Sequence, residues 1–498
     1  MSHPVAGVSY DPRIHAVGLG DLPGLWRIYP MIALDIALLL LRFAVLVAEA
    51  GLFGTLAVQW LDGRRIGQSL LITLFAALAV LLPAWLLVQA ASMADTSGLA
   101  DTLAAGWLVL QVSWVGHLAA GRVAMWLVAW LTWRRLGAAW AVWPAGVALA
   151  LHAGAGHAMA TGDAWLFVSV LAHVFAASAW IGGLPALWLA LDAPGAAVLV
   201  ARYTWLGLLC VIVVAVTATA QALALAGGVP GVLGTEYGHT ILVKIGLLLL
   251  LLLLAARHRF VLAPRLPASL AALRRSVLLE IALGLGVMAA ASLLASLPPG
   301  AHSQPNWPFP WRFSLDLMDD DALRREVVNA AQAMGGAGLL LLLAILARRI
   351  RWLAVVTAMA IAWFAIPHFD LLLLPTEPTF YWQSTTGYTA ASIDAGRHAY
   401  VRNCMGCHGE GGQGDGPQAK GMRIPPADLT APHLWDHPDG ELYWWIAHGM
   451  PGPDGQPVMP GFSPALDDDT IWSLIDFLHS NNPNKPADGV PLGMHMHH

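Results

Sequence analysis

Two cysteines and a histidine stand at a spacing that suits covalent attachment of a porphyrin. Cys404 and Cys407 lie three residues apart in the segment CMGCH, and His408 follows directly. On a helix, thiols at this spacing lie one turn apart, so both can reach the vinyl groups of one haem while the histidine comes beneath the iron. The only other cysteine, Cys210, stands alone in an apolar run, so no second CxxC pair completes a zinc site. The motif therefore predicts one covalent c-type haem.

The sixth ligand of the iron is predicted to be a methionine. Met459, in the segment VMPGF, follows the attachment site by about fifty residues, and the proline after it stiffens the loop that would present the sulfur. A methionine opposite a histidine raises the reduction potential of a haem and suits electron transfer. The main alternative is Met450 in HGMPG, and the weaker alternatives are Met422, His433, His437 and His448.

Histidines in the apolar part of the chain form a second group of candidate ligands. His117, His152 and His173 fall on three consecutive predicted helices, each about 15 Å below the outer surface at 1.5 Å per residue, and His157 lies nearer that surface. Imidazole and thioether groups without a thiolate favour copper. Two alternatives stay open: axial ligation of a b-type haem by histidines of two facing helices, and hydrogen-bonded packing. The C-terminal GMHMHH also combines methionine and histidine.

The chain that must position these residues is strongly apolar. Of its 498 residues, 57% are hydrophobic and 11% are charged, against about 25% charged residues in soluble proteins. Apolar runs of about 20 residues can each cross a membrane as a helix. The pattern predicts an all-α protein, in which a polytopic transmembrane bundle of about ten helices, with its N-terminus outside, precedes a small soluble domain. The predicted helices are 31–61, 66–91, 106–133, 138–160, 164–191, 203–227, 238–256, 276–297, 328–347 and 352–374.

Charge divides the chain and predicts its orientation. Residues up to Thr376 include 21 basic and 17 acidic side chains, whereas those from Glu377 onward include 5 and 14. Short loops rich in arginine face the cytoplasm in bacterial inner-membrane proteins. All arginine clusters fall on one side of the predicted bundle, so everything after Leu374 is predicted to lie in the periplasm, where c-type haem is attached. These clusters are Arg64–Arg65, Arg134–Arg135, the arginines of 257–275, and those of 348–351.

Charged residues inside the predicted helices allow two interpretations. They are costly in the bilayer unless paired or wetted, so they form either internal ion pairs or a path for ions or protons. The residues concerned are Asp35, Arg42, Glu49, Arg122, Lys244 and Glu280.

The predicted domain boundaries follow from these patterns. Residues 1–30 are a periplasmic N-terminal segment, 31–374 the transmembrane domain, 375–391 a linker, 392–482 the haem domain, and 483–498 a tail that contains histidine and methionine.

The C-terminal motifs resemble a class I, mono-haem cytochrome c over Ile393 to Asn482. The resemblance rests on SIDAGRHAYVRNCMGCHGEGGQGDGPQA, PPADLT, GELYWWIAHG, VMPGF and DDDTIWSLIDFLHS. It implies N- and C-terminal helices crossed over the haem, with the iron ligated by His408 and Met459.

The membrane part resembles the copper resistance protein D family, well over residues 110–315 and loosely over 31–110. The similar stretches are GHAMATGDAWLFVSVLAHVFAASAWIGGL, ARYTWLGLLCVIVVAVTATAQAL, GTEYGHTILVKIGLLLLLLLLAARHRF and HSQPNWPFPWRFS. The resemblance implies a role in copper uptake or tolerance at the bacterial inner membrane. It also makes His157 and His173 the first copper-site candidates, because they match the GHA and H-x6-W elements.

These features predict a copper-handling protein of the inner membrane, whose c-type haem exchanges electrons with copper or with a respiratory carrier. One alternative is a respiratory module that passes electrons from quinol through a b-type haem to the c-type haem; another is a scaffold that delivers copper for oxidase assembly. The predicted partners are copper ions, periplasmic or membrane electron carriers and the lipid bilayer. The sequence contains no catalytic triad, phosphate-binding loop or nucleic-acid surface, so an electron-transfer protein is favoured over a conventional enzyme and no nucleic-acid partner is expected.

Overall fold

The structure is a computed structural model that describes residues 25–96, 98–156, 162–266, 268–315, 318, 320–346, 351–463 and 465–484. Most of the predicted N-terminal segment, His157 and the GMHMHH tail lie outside the described residues. The described chain is mainly helical and divides into two compact units. One comprises Met1–Ala226 and Thr240–Pro299, and the other comprises Gly227–His239 and Gly300–His498.

Helices form the first unit, and also the segment Gly227–His239, which interrupts it in the sequence and belongs to the second unit. A π-helical turn, His258–Leu262, and a 3-10 turn, Ala263–Arg265, continue α10. The helices are α1 Leu25–Asp62, α2 Gln68–Ala94, α3 Leu99–Val112, α4 Trp114–Leu136, α5 Ala138–Ala153, α6 Ala164–Trp180, α7 Leu184–Ala190, α8 Ala196–Leu225, α9 Gly228–Gly234, α10 Glu236–Arg257 and α11 Leu270–Leu294.

Nine helical spans in the described residues are long and apolar enough to cross a membrane, which confirms the predicted all-α, multi-pass class. Two predicted helices differ from those in the structure. The run 106–133 is interrupted at Ser113, whose extended backbone ends α3 and whose hydroxyl caps α4 by accepting from the Gly116 amide. The run 138–160 contains the 16-residue α5, which is about 24 Å long and shorter than a typical span. Hydropathy misses the interruption because a capping serine scarcely changes a windowed average.

Two apolar clusters form the interior of the first unit. One packs α6, α7, α10 and α11 around Trp180, Leu184, Leu251 and Leu273. The other packs α1, α2 and α5, with residues such as Leu52, Leu71 and Leu149. Many large apolar side chains on the outside of the helices remain exposed, as expected where lipid rather than water is the solvent.

The second unit contains two further apolar helices and the cysteine-bearing domain. Strand β1 pairs antiparallel with β2, and β3 pairs antiparallel with β4. The elements are β1 Trp311–Phe313, α12 Asp321–Leu346, α13 Arg351–Ala365, β2 Leu373–Pro375, α14 Ala390–Asn403, α15 Met405–His408, α16 Asp439–His448, β3 Gly449–Pro451, β4 Pro457–Pro460 and α17 Asp468–Asn481.

Helices α14 and α17 pack directly against each other. Gly396 permits this close approach, because a Cβ atom at that position would lie 1.8 Å from the carbonyl oxygen of Ser473. The core around the contact contains Tyr400, Ile471 and Ile475, all of which are fully or almost fully buried. This arrangement matches the packed terminal helices that the cytochrome resemblance implies.

The segment predicted as a linker, 375–391, is held by hydrogen bonds. The hydroxyl of Thr379 donates to the carbonyl of Gly440 at 2.6 Å, and the amide of Trp307 donates to the carbonyl of Pro378 at 2.8 Å. Pairing of β1 with β2 brings the loop around residue 311 to the same segment. These bonds explain why the compact units do not divide the chain at residue 374.

Candidate functional site

The two cysteines and the histidine of the CMGCH segment lie on one helical turn. Cys404 ends α14, and its carbonyl accepts hydrogen bonds from the amides of Cys407 at 3.1 Å and His408 at 2.9 Å. Both sulfurs are free thiols, and Cys404 packs against the domain core. Burial raises the pKa of the Cys404 thiol to about 11, so it is protonated at neutral pH. The turn therefore presents two thiols beside one imidazole, as covalent haem attachment requires.

The imidazole of His408 is oriented by a backbone carbonyl. Its Nδ1 lies 3.0 Å from the carbonyl oxygen of Ala427. A carbonyl can only accept, so Nδ1 carries the proton and Nε2 keeps its lone pair for a metal ion. The loop is fixed further by the hydroxyl of Tyr400, which donates to the Gly409 carbonyl at 2.8 Å, and by the Gly414 amide, which donates to the His408 carbonyl at 2.8 Å. These residues fit a c-type haem.

Both candidate methionines lie in one small hairpin. Met450 in β3 and Met459 in β4 are direct partners in the antiparallel register, and both are half-buried. Side chains of directly opposed residues project from the same face of a hairpin. Met459 packs against the same core cluster as Cys404, which favours Met459 over Met450 as the sixth ligand.

His152 belongs to a buried ionic cluster in the first unit. Its Nδ1 lies 2.6 Å from Oε2 of Glu49, a residue with no exposed surface. Arg122 donates to Oε1 of the same carboxylate from Nε at 3.1 Å and Nη2 at 2.9 Å, and Trp126 donates from Nε1 at 3.0 Å. The carboxylate is thus fully neutralised and hydrogen-bonded, as a buried charge must be. For Glu49 and Arg122 the structure confirms the ion-pair interpretation.

His173 is held in the protonation state that a metal ligand needs. The hydroxyl of Thr217 donates to the carbonyl of Val213 at 2.7 Å, so its oxygen accepts from Nδ1 of His173, 3.0 Å away. The Nε2 atom of His173 then keeps its lone pair. In the part of the chain that the structure describes, however, no three His, Cys, Asp or Glu side chains come together as a metal site. His117, His152 and His173 therefore form no three-ligand centre there, and His157 lies outside the described residues.

The ring of His117, in the first turn of α4, binds a backbone carbonyl at the end of α3. Its Nε2 donates to the carbonyl of Gln111 at 3.1 Å, two residues before the helix-capping Ser113. The Ser113 hydroxyl donates to the Val109 carbonyl at 2.8 Å and accepts from the Gly116 amide at 3.0 Å. The His117 ring is thereby tied to the backbone, and its Nδ1 is the nitrogen without this bond.

The same arrangement recurs at the start of α10. His239 Nε2 donates to the carbonyl of Leu233 at 2.8 Å. The hydroxyl of Thr235 donates to the Gly231 carbonyl at 2.6 Å and accepts from the Gly238 amide at 3.0 Å. The repeated pattern is Ser/Thr-x-x-Gly-His followed five residues later by a basic side chain, and Arg122 and Lys244 hold that last position. The sequence analysis missed this internal repeat, although aligning the chain with itself would have revealed it.

Comparison with known proteins gives two partial matches. Residues 197–294 match the family described as copper resistance protein D, and residues 391–478 match cytochrome C oxidase, cbb3-type, subunit III. The cbb3-type cytochrome c oxidase subunit CcoP of Azospirillum brasilense is 37% identical over 97 residues, which cover 19% of this chain and 30% of that protein. Inner membrane protein YebZ of Escherichia coli (strain K12) is 34% identical over 137 residues, covering 26% and 47% respectively. No solved structure matches the chain.

The matched regions span less than half the length of either relative. Together they confirm both resemblances drawn from the motifs: the chain combines a membrane segment similar to copper resistance protein D with a c-type cytochrome segment. The relatives and the apolar helices support a multi-pass inner-membrane protein that contains haem c. The comparisons give no support to the alternative in which the bundle holds a b-type haem.

Proposed function

We propose that the protein handles copper at the bacterial inner membrane and that its periplasmic c-type haem exchanges electrons with copper or with a respiratory carrier. The observation that carries the electron-transfer part is the hydrogen bond from His408 Nδ1 to the Ala427 carbonyl, which leaves Nε2 for iron. The family match over residues 197–294 supports the copper part.

Four side chains of the C-terminal domain would hold the haem. Cys404 and Cys407 would form the two thioether links, His408 would bind iron from one side, and Met459 would bind it from the other. The haem supplies a one-electron couple, and a thioether ligand places its potential in the range of electron carriers. The hydrogen bond to the Ala427 carbonyl orients the His408 ring, so that Nε2 would be available to the iron.

Periplasmic placement of the haem domain is part of the proposal. The arginine-rich loops on the opposite side of the bundle support it, because such loops are retained in the cytoplasm. Haem and periplasmic copper would then lie on the same side of the membrane.

The copper site is proposed to include His173 and His157, with His152 and His117 as further candidates. The hydrogen bond between His173 Nδ1 and Thr217 supports a neutral imidazole with Nε2 available to metal. For His152, the Glu49 carboxylate would play the corresponding orienting role.

A rapid-mixing experiment tests the coupling between copper and haem. Full-length protein is reduced, freed of oxygen and mixed with stoichiometric Cu(II) while the reduced haem band is followed. We expect fast oxidation in the wild type and in the surface control His368→Gln, and clearly slower oxidation in His173→Ala. Equal rates in all three proteins would contradict a copper site at His173. No oxidation by copper, together with rapid oxidation by a respiratory cytochrome, would leave only the respiratory-carrier function.

A further inference from the structure

A half-open cavity of about 460 Å³ lies in the first unit. The π-helical turn after α10 and the facing sides of α8 and α11 form its walls, with Trp180 and several aliphatic residues. Its volume falls in the range of small-molecule sites. It is lined by none of the histidines proposed to bind copper.

Two ionisable side chains line this otherwise apolar space. His258 Nδ1 lies 2.9 Å from Oε1 of Glu280, and Glu280 is only 3% exposed. Apart from this contact, His258 Nε2 and Glu280 Oε1 are buried atoms without a hydrogen-bond partner among the described residues. Native proteins rarely leave buried polar atoms unpaired, so a pair of them beside a cavity indicates a ligand with complementary donor and acceptor atoms.

The backbone at His258 is also unusual. The residue begins a π-helical turn, His258–Leu262, where α10 ends. Single π-helical turns in helices are rare and occur frequently at functional sites. Next along the chain, Arg259 stacks over Trp205, with its guanidinium carbon 4.8 Å from the ring centroid. Arg259 also lines the cavity, so the polar side chains are concentrated at this turn.

We propose that this cavity binds a quinone, in its oxidised or reduced form. A quinone ring carries carbonyl oxygens that accept from an imidazole N–H, and a quinol carries hydroxyl groups that donate to a carboxylate. Because His258 Nδ1 faces Glu280, the atoms left for a ligand are His258 Nε2 and the second lone pair of Glu280 Oε1. Nε2 donates to a quinone carbonyl when both ring nitrogens carry a proton, and it accepts from a quinol hydroxyl when only Nδ1 does. Apolar walls, including Trp180 and Val277, suit the ring and the first part of an isoprenoid tail. A lipid acyl chain would fill the space but leave both polar atoms unpaired.

Titration of the full-length protein in detergent micelles with decylubiquinone tests this site, with heat of binding as the readout. We expect saturable binding in the wild type and roughly tenfold weaker binding of decylubiquinone in His258→Ala. When the titration is repeated with the reduced form, decylubiquinol, we expect roughly tenfold weaker binding in Glu280→Ala as well, the loss expected for one buried hydrogen bond. The control His368→Gln changes an exposed histidine and should bind as the wild type does. Circular dichroism and a single symmetric gel-filtration peak show that the membrane unit of each variant remains folded.

Three results would overturn the proposal. Heat that never saturates in the wild type would mean simple partition of the quinone into micelles. Equal affinity for the titrant in the wild type and both cavity variants would mean that any bound quinone lies outside this cavity. Retention of phospholipid in a native mass spectrum, without displacement by decylubiquinone, would identify the cavity as a lipid groove. None of these readouts depends on copper. A failure of the quinone proposal is therefore distinguishable from a failure of the proposed function.

Discussion

Among the described residues, the imidazole of His408 has one hydrogen-bond partner on its ring, and that partner decides which nitrogen can bind iron. The Ala427 carbonyl accepts the hydrogen bond that Nδ1 donates, so Nε2 keeps its lone pair. The opposite side of the iron depends on which methionine the β3–β4 hairpin presents. Because Met450 and Met459 face each other across this hairpin, a substitution experiment can separate their roles.

Met459→Ala is expected to abolish the weak sulfur-to-iron band of the oxidised haem in the far red and to lower the reduction potential, because the thioether ligand is lost. Absorbance spectra and a redox titration measure both effects. The control Met422→Ala changes an exposed methionine and should leave both unchanged. If Met450→Ala removes the band while Met459→Ala does not, the ligand is Met450.

A second residue-scale prediction concerns Asp439. Burial, and then the nearby Asp476 carboxylate, raise the pKa of Asp439 to about 6, above the ordinary value of 3.8 for this side chain. The folded domain therefore binds this proton more tightly than the unfolded chain does. Asp439 thus lowers stability above pH 6, and the cost disappears as the pH falls from about 6 towards 3.8. Its side chain also lies 3.8 Å from His479 Nδ1, a contact that favours the carboxylate only when the His479 ring is protonated.

Asp439→Asn should therefore stabilise the haem domain at pH 7, by on the order of 2 kcal/mol, and should have little effect near pH 4. Urea unfolding of the full-length protein, followed by haem absorbance at both pH values, measures this. A destabilisation at pH 7 would show that the contact with His479 outweighs the cost of burying the carboxylate.

At the scale of elements, the packing of α14 against α17 shapes the haem domain. Gly396→Ala would bring a Cβ atom against the backbone of Ser473, which can move only if the helices separate. We expect a loss of about 1–3 kcal/mol in unfolding free energy and less haem incorporated per chain. The neighbouring Ala395 is exposed, so Ala395→Ser is a matched control. Unfolding by urea gives the free energies, and unchanged stability of the Gly396 variant would contradict the tight crossing.

Sequence patterns predicted some elements well and others poorly, for physical reasons. The CMGCH spacing is set by the size of the porphyrin, so it predicts the cofactor and the short helix α15 together. Hydropathy predicts that a helix is apolar but not how it is rotated, so the contact of Glu49 with Arg122 and His152 required the structure. The break at Ser113 depends on a single cap, and the roles of the membrane histidines depend on partners distant in sequence.

For the whole molecule, the central expectation is that the haem domain lies in the periplasm. A reporter that is active only in the periplasm should be active when fused after Leu374 and inactive when fused after Arg349, because the arginines of 348–351 anchor the intervening loop in the cytoplasm. Enzyme activity of intact cells carrying each fusion measures the orientation. The reverse pattern would place the haem motif in the cytoplasm, where c-type haem is not attached, and would contradict the predicted orientation.

The most direct test of the account is the cofactor content of the purified full-length protein. Pyridine haemochrome spectra before and after acid–acetone extraction, with copper analysis of the same sample, distinguish the alternatives. We predict one haem per chain that resists extraction, bound copper that decreases when His157 and His173 are both changed to Ala, and an unaltered c-type spectrum in that variant. A second, extractable haem without copper would contradict the account and favour quinol oxidation through a b-type haem.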